Sequence, residues 1–141
     1  PLDELFLSRF GRLPYRSLEF AWETHDAEHV LPCGTVNFTV TEDYTRITEF
    51  KHLTGQAHPK TTIMKEYSRP YEDPLRQIPY YAILSDENRA HYERYRALTA
   101  PLANFHPLGR LAEYRYYNMD VIIGRALALA DELVPGLEGR R

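Results

Sequence analysis

Period-two alternation recurs through the first two-thirds of this chain and yields to helical periodicity only near its end. Strand-like runs followed by helices point to an α+β fold with a mostly antiparallel sheet and a long C-terminal helix. Ser17–Glu23 places Leu18, Phe20 and Trp22 on one face, the pattern of a half-buried strand. Thr35–Thr41 repeats it with Val36, Phe38 and Val40. Thr45–Leu53 is a third run, with Ile47, Glu49 and Lys51 on one face and Arg46, Thr48, Phe50 and His52 on the other. Thr61–Tyr67 is a fourth and Pro79–Leu84 a fifth. The strands expected from these runs include Leu18–Glu23, Arg46–Lys51 and Thr62–Tyr67. Pro32-Cys33-Gly34, Gly55 through Pro59, and Pro70 through Pro79 read as loops.

The helices are bounded by their own signals. Pro1–Phe10 reads as a short helix, with Leu5, Phe6 and Phe10 packing and Gly11 as its stop. Ser85 or Asp86 can cap a helix to about Leu98, with Tyr92 and Tyr95 on one side and Ala100-Pro101 at its end. Arg110–Tyr117 alternates and reads as a last strand running into the final helix. That helix begins at Met119 after Asn118 as N-cap. It carries Ile122, Ile123, Ala126, Leu127, Ala130, Leu133 and Val134 at helical spacing, and Pro135-Gly136 ends it.

At 141 residues the chain fits one domain, residues 1–141, able to bury about two-thirds of its unfolded surface. A net charge of −3, from 17 basic and 20 acidic residues, provides no field for nucleic acid or an anionic membrane. No signal peptide or spanning stretch is present, and the single cysteine, Cys33, excludes an internal disulfide, so the reading is cytoplasmic. The opening at Pro1 reads as an excerpt of something longer. The 11 tyrosines suit either a wet ligand pocket or partly exposed strands.

Chemistry-bearing patterns are sparse. Neither G-x-G-x-x-G nor a Walker sequence occurs. His25 and His29 lie four apart, but the adjoining strand pattern argues against a helix and no third ligand is placed, so no metal is expected. Cys33 has no obvious base. The remaining constellation is dispersed: Arg46, Glu66, Tyr80, Tyr81, Arg110, Tyr114 and Tyr116. Arg46 and Arg110 could clamp a diphosphate through their forked donors. Arg110, Ala112, Tyr114 and Tyr116 would share a face leading into the helix start at Asn118–Met119, an anion site. Pattern alone favours the plainer alternative of surface ion pairs and sheet-padding tyrosines.

Tyr44-Thr45-Arg46-Ile47-Thr48-Glu49-Phe50-Lys51-His52 resembles the signature of UDP-galactopyranose mutases. Gly11–Phe20, Val36-Asn37-Phe38, Thr61–Tyr67, Pro79-Tyr80-Tyr81 and Gly109–Asp120 agree in order and spacing, over nearly the whole chain. The resemblance implies a C-terminal portion of such an enzyme, with part of its sheet domain and the return toward the flavin. It implies FAD in reduced form, interconversion of UDP-galactopyranose and UDP-galactofuranose through a flavin N5–sugar adduct, and a missing N-terminal FAD-binding domain as partner. A homodimer is possible in the full enzyme. By the same resemblance Arg46 and Arg110 are catalytic, and Arg46, Glu66, Tyr80 and Tyr116 bind substrate. Arg110, Asn118 and Met119 face the cofactor, with Asn118 where many members carry Asp. The isolated chain is expected to bind FAD negligibly and to be inactive. The competing class is a non-catalytic sugar-nucleotide-binding or interaction module descended from the mutase.

Overall fold

The computed structural model describes residues 1–134. Its elements are α1 (Leu2–Leu5), β1 (Tyr15–His25), β2 (Thr35–Asn37), β3 (Arg46–Glu49), α2 (Phe50–Thr54), β4 (Thr61–Pro70), β5 (Tyr81–Ala82), α3 (Asp86–Thr99) and α4 (Met119–Leu133). The fold is α+β, as the order of periodicities implies. The strands run β2-β3-β4-β1-β5, and the β1–β4, β2–β3 and β3–β4 ladders are all antiparallel. The chain divides into two compact units: Arg16–Ile78, and Pro1–Tyr15 together with the chain from Pro79.

In the 16–78 unit, register decides which side chains share a face. Phe20 pairs with Glu66 and Trp22 with Met64, while Arg46 pairs with both Glu66 and Asn37. Paired residues point the same way, so Arg46, Glu66, Phe20 and Trp22 share one surface. That surface is open among the described residues: Phe20 is 46% exposed and Trp22 60%. The half-buried strand face read from Leu18, Phe20 and Trp22 is therefore corrected. The other surface buries Ile47 and Ile63 and carries the Lys65–Glu23 ion pair at 2.6 Å.

The third alternating run does not stay extended. β3 ends at Glu49, and Phe50–Thr54 forms one helical turn where strand was expected through Lys51. Gly55 allows the turn, since its φ of 69° suits glycine and its N–H reaches the Lys51 carbonyl at 2.9 Å. The turn also lets the buried Lys51 ammonium donate to the carbonyls of Glu28 and His58. A buried ammonium requires such acceptors. β2 and β5 are likewise shorter than their alternation suggests.

The other unit is built around phenols. Tyr15, Tyr92, Tyr95, Tyr114 and Tyr117 are buried, with Leu2 and Leu13. Four of the hydroxyls reach loop carbonyls: Tyr15 to Leu111 at 3.2 Å, Tyr92 to Ala112 at 3.0 Å, Tyr95 to Gly11 at 2.6 Å and Tyr114 to Pro14 at 2.6 Å. An apolar ring with a polar tip can thus fill a core and satisfy irregular backbone together. Ser85 caps α3 by accepting the Asn88 N–H at 3.1 Å. α1 is only one turn, because Leu7 and Ser8 adopt positive φ before Gly11.

Arg110–Tyr117 is not a strand. Its residues form successive turns, with Tyr114 at φ 47°. The Glu113 carboxylate accepts the Gly109 N–H, and the Glu113 N–H returns to the Gly109 carbonyl. This coil turns Tyr114 into the core and leaves Tyr116 half exposed, which alternation would not do. α4 starts at Met119 as expected, yet Asn118 makes no side-chain cap bond and none of the helix's residues is buried. The expected stop at Pro135-Gly136 lies outside the described residues. No helix among the described residues is long and apolar enough to cross a membrane.

Candidate functional site

A cavity of ≈ 1030 Å³ opens in the unit containing α3 and α4. Tyr80 and Tyr81 enter it from β5 and the residue before it. Arg110, Tyr116 and Tyr117 enter from the coil, and Asn118 and Met119 from the start of α4. Five residues singled out in the sequence, Tyr80, Arg110, Tyr116, Asn118 and Met119, therefore line one space. The alternation argument reached Arg110 and Tyr116 through a strand that does not exist. The coil brings them together instead.

Arg110 is the best-fixed of these groups. Its Nε donates to the Tyr117 carbonyl at 2.8 Å and Nη2 shares the same acceptor. Its guanidinium carbon lies 4.6 Å from the centre of the Tyr116 ring and 5.5 Å from that of Tyr81. Cation–π contact and a carbonyl anchor set its direction while leaving donors unspent. Behind it, Glu113 ties the turn to α4 through an ion pair with Arg125. The Tyr80 and Tyr81 rings meet edge-on at 4.2 Å, and Tyr81 lies 5.7 Å from Tyr116.

Below this wall the phenol core holds its protons. Burial pushes Tyr92 and Tyr114 up to about 12, with Glu113 adding to the rise at Tyr92. Those hydroxyls are donors to backbone and not acid–base groups near neutral pH.

Arg46 and Glu66 are brought together in the 16–78 unit. Arg46 Nε donates to Asn37 Oδ1 at 2.9 Å, and Nη1 lies 3.7 Å from Glu66 Oε1. The Arg46 side chain remains 43% exposed, whereas that of Glu66 is 12% exposed. Two acceptors orient the guanidinium and leave part of its fork available.

Sequence reasoning named Tyr81 among the polar residues but assigned it no site role, and it did not single out Phe105, Leu108 or Ile122, which also line the cavity. Phe105 and Leu108 sit in a loop without periodicity. Ile122 was legible only as part of an apolar helix stripe.

A family model described as UDP-galactopyranose mutase matches residues 1–116. The chain belongs to the UDP-galactopyranose mutase family. Among its relatives is a probable UDP-galactopyranose mutase of Klebsiella pneumoniae, 38% identical over 136 residues, covering 95% of this chain and 35% of the relative. The UDP-galactopyranose mutase of Mycoplasma pneumoniae is 36% identical over 137 residues, 94% of this chain and 34% of its own length. A dTDP-fucopyranose mutase of Escherichia coli is 32% identical over 132 residues, covering 92% of this chain and 34% of the relative. The chain thus spans about a third of the length of the curated relatives it matches.

The cavity lining bears on the flavin that the resemblance implies. Aromatic faces at Tyr81, Phe105 and Tyr116, an anchored guanidinium and a helix N-terminus suit a flat conjugated ring with an electron-rich edge. The sequence holds no Gly-rich phosphate cradle, so these residues fit one side of the ring system and not the whole dinucleotide.

Proposed function

We propose that this chain is the sheet and flavin-facing portion of a flavin-dependent mutase acting on a nucleoside-diphosphate sugar, with UDP-galactopyranose and UDP-galactofuranose as its substrate pair. The observation that carries the reading is Arg110, held by the Tyr117 carbonyl between two tyrosine rings where α4 begins. The family membership supplies the reaction class. The cofactor, when bound in its reduced form, supplies a nucleophilic ring nitrogen for the anomeric carbon.

This chain's residues then have separable tasks. Arg110 and the N-terminal turn of α4 place positive potential beside the ring, which favours an electron-rich cofactor. Asn118 contributes an amide at the same edge, and Met119 contributes apolar contact. Tyr80 and Tyr116 offer hydroxyls to sugar or phosphate oxygens. Arg46, oriented by Asn37 and Glu66, meets the charge that grows on the diphosphate as it departs. Glu66 acts as its positioning residue.

Kinetics on the full-length enzyme carrying this chain, reduced with dithionite, test the reading. A charge-assisted contact to phosphate contributes about 1.5–3 kcal/mol. Arg46→Ala is therefore expected to lower kcat/KM ~10- to 150-fold, part of it in kcat. Arg46→Lys restores only part, because the fork is lost. An Arg46→Ala enzyme that stays folded, keeps its flavin and turns over at the wild-type rate refutes the assignment. Without the flavin-binding segment, the chain is expected to show no turnover and no stoichiometric flavin.

A further inference from the structure

A second constellation, remote in kind from anion binding, sits in the 16–78 unit. His29 lies in the loop after β1, Glu49 is the last residue of β3, and His52 is in α2. Their three donor atoms all lie within 4.8 Å of one another. His29 Nδ1 is 3.4 Å from Glu49 Oε1, and His52 Nε2 is 3.4 Å from Glu49 Oε2. The imidazoles stack with centroids 4.2 Å apart and planes inclined by 27°. The histidine pair suggested by sequence spacing, His25 with His29, is not the one that forms. His29 meets His52 instead, and the turn at Phe50–Thr54 makes Glu49 and His52 neighbours.

We propose that His29 Nδ1, His52 Nε2 and the Glu49 carboxylate form a binding site for a divalent metal ion of zinc's class.

Distances, donor chemistry and access agree. With metal–ligand bonds of about 2.0–2.2 Å, the edges of a tetrahedral zinc site are roughly 3.3–3.6 Å. Both carboxylate–imidazole separations fall in that interval. Two imidazoles and one carboxylate select zinc, cobalt or nickel over magnesium and calcium, which take oxygen donors. Glu49 has no exposed side-chain surface, while His29 is 39% and His52 26% exposed, so the fourth coordination direction opens to water. The carboxylate is fixed in place by the amides of Val30 and Leu31, the latter at 2.8 Å. The Lys51 ammonium is committed to the backbone carbonyls of Glu28 and His58.

One rearrangement is required. His52 Nε2 lies 2.9 Å from the Leu31 carbonyl, the position of a donated hydrogen bond. Binding converts His52 to the tautomer protonated at Nδ1, so that Nε2 offers its lone pair to the ion. The bound ion would fasten the loop of His29 to the end of β3 and to α2. A carboxylate that only anchored the Val30–Leu31 backbone would need neither imidazole.

The test uses the full chain stripped with chelator. Titration with Co²⁺ is expected to develop the visible bands of a four- or five-coordinate ion at one equivalent. Zn²⁺ is expected to raise the melting temperature where equal Mg²⁺ does not. His29→Gln and His52→Gln, both at partly exposed positions, should abolish the bands while retaining the wild-type circular dichroism spectrum. Cys33→Ser, which removes the exposed thiol, should leave them intact. A Co²⁺ spectrum that stays octahedral, or bands that survive His29→Gln or vanish in Cys33→Ser, overturns the proposal.

Discussion

Within residues 16–78, backbone ladders carry the architecture, Ile47 and Ile63 are its buried apolar side chains among the described residues, and a carboxylate without exposed surface pins a loop. In the unit containing α3, long coils replace ladders, and five buried tyrosines hold them through ring packing, four of them also through hydroxyl-to-carbonyl bonds. A sheet satisfies its backbone by pairing strands. A coil cannot, so side chains must do it, and a phenol does so while still filling volume. The two units should therefore fail in opposite directions of pH. One depends on an anion staying charged and the other on phenols staying neutral.

The largest expected effect lies in the phenol core. Tyr95 has no exposed surface, donates to the Gly11 carbonyl and accepts the Phe10 N–H at 2.8 Å. Truncating a large buried aromatic residue costs about 3–5 kcal/mol. Tyr95→Ala is thus expected to unfold or nearly unfold its unit. Amide exchange should show protection lost across α3 while β1–β4 retain theirs. Uniform loss of protection in both units would show that their different construction does not make them independent.

Next is Glu49. Charge-assisted hydrogen bonds contribute about 1.5–3 kcal/mol, so Glu49→Gln should lower stability by that order. Because the folded carboxyl sits at about 2, against an ordinary value of 4.5, the unfolded chain binds the extra proton between those values. Stability from this group is present above about pH 4.5 and lost as pH falls toward 2. Urea titrations of the 16–78 unit, followed by exchange, should show that acid slope vanish in Glu49→Gln. A slope unchanged by the substitution contradicts the role.

Smaller still is the removal of one hydroxyl. Tyr114→Phe keeps the ring, loses a bond to the Pro14 carbonyl and is expected to cost about 1 kcal/mol. Its pH signature is opposite to that of Glu49. Tyr92 and Tyr114 titrate at about 12 when folded and near 10 when unfolded. Their contribution is full below pH 10 and lost as pH rises toward 12. Ultraviolet titration should show a late-ionising group of phenols, reduced by one in Tyr114→Phe. Alkaline stability unaffected by that change would remove tyrosine neutrality as a basis of the unit.

What could be read from the sequence follows the same division. Period-two runs located β1, β3 and β4, and α3 was bounded correctly by Ser85 at one end and Ala100-Pro101 at the other. Alternation then misled where tertiary bonds decide the backbone. Phe50–Lys51 turned helical around a buried ammonium and an αL glycine, and Arg110–Tyr117 coiled so that Tyr114 could enter the core. The tyrosines were conspicuous in composition, but their carbonyl partners are up to 100 residues away in sequence. Of the candidate site, Tyr80, Arg110, Tyr116, Asn118 and Met119, to which the resemblance gave substrate or cofactor roles, line one cavity, though Arg110 and Tyr116 were expected on a strand that is a coil. The His29–Glu49–His52 cluster was missed because the loop after β1 folds back onto a turn that read as strand.

The smallest expected effect closes the comparison with an exposed ion pair of the sheet. Arg69 and Glu19 face one another across β4 and β1 with Nε 2.7 Å from Oε2, as short as the bonds of the phenol core. Distance alone would rank the two alike. Yet both side chains are well exposed, at 44% and 63%, and water solvates each charge nearly as well as its partner does. Such pairs also spend side-chain freedom to hold one geometry and are screened by salt. Glu19→Gln is therefore expected to leave the urea midpoint within error of wild type at physiological ionic strength. A slight loss should emerge only in low salt, and the same measurement on Tyr114→Phe should show no salt dependence. A salt-insensitive loss in Glu19→Gln as large as that of Tyr114→Phe would mean that exposed ion pairs of the sheet contribute as core bonds do, and the contrast between the units would rest on covering and not on chemistry.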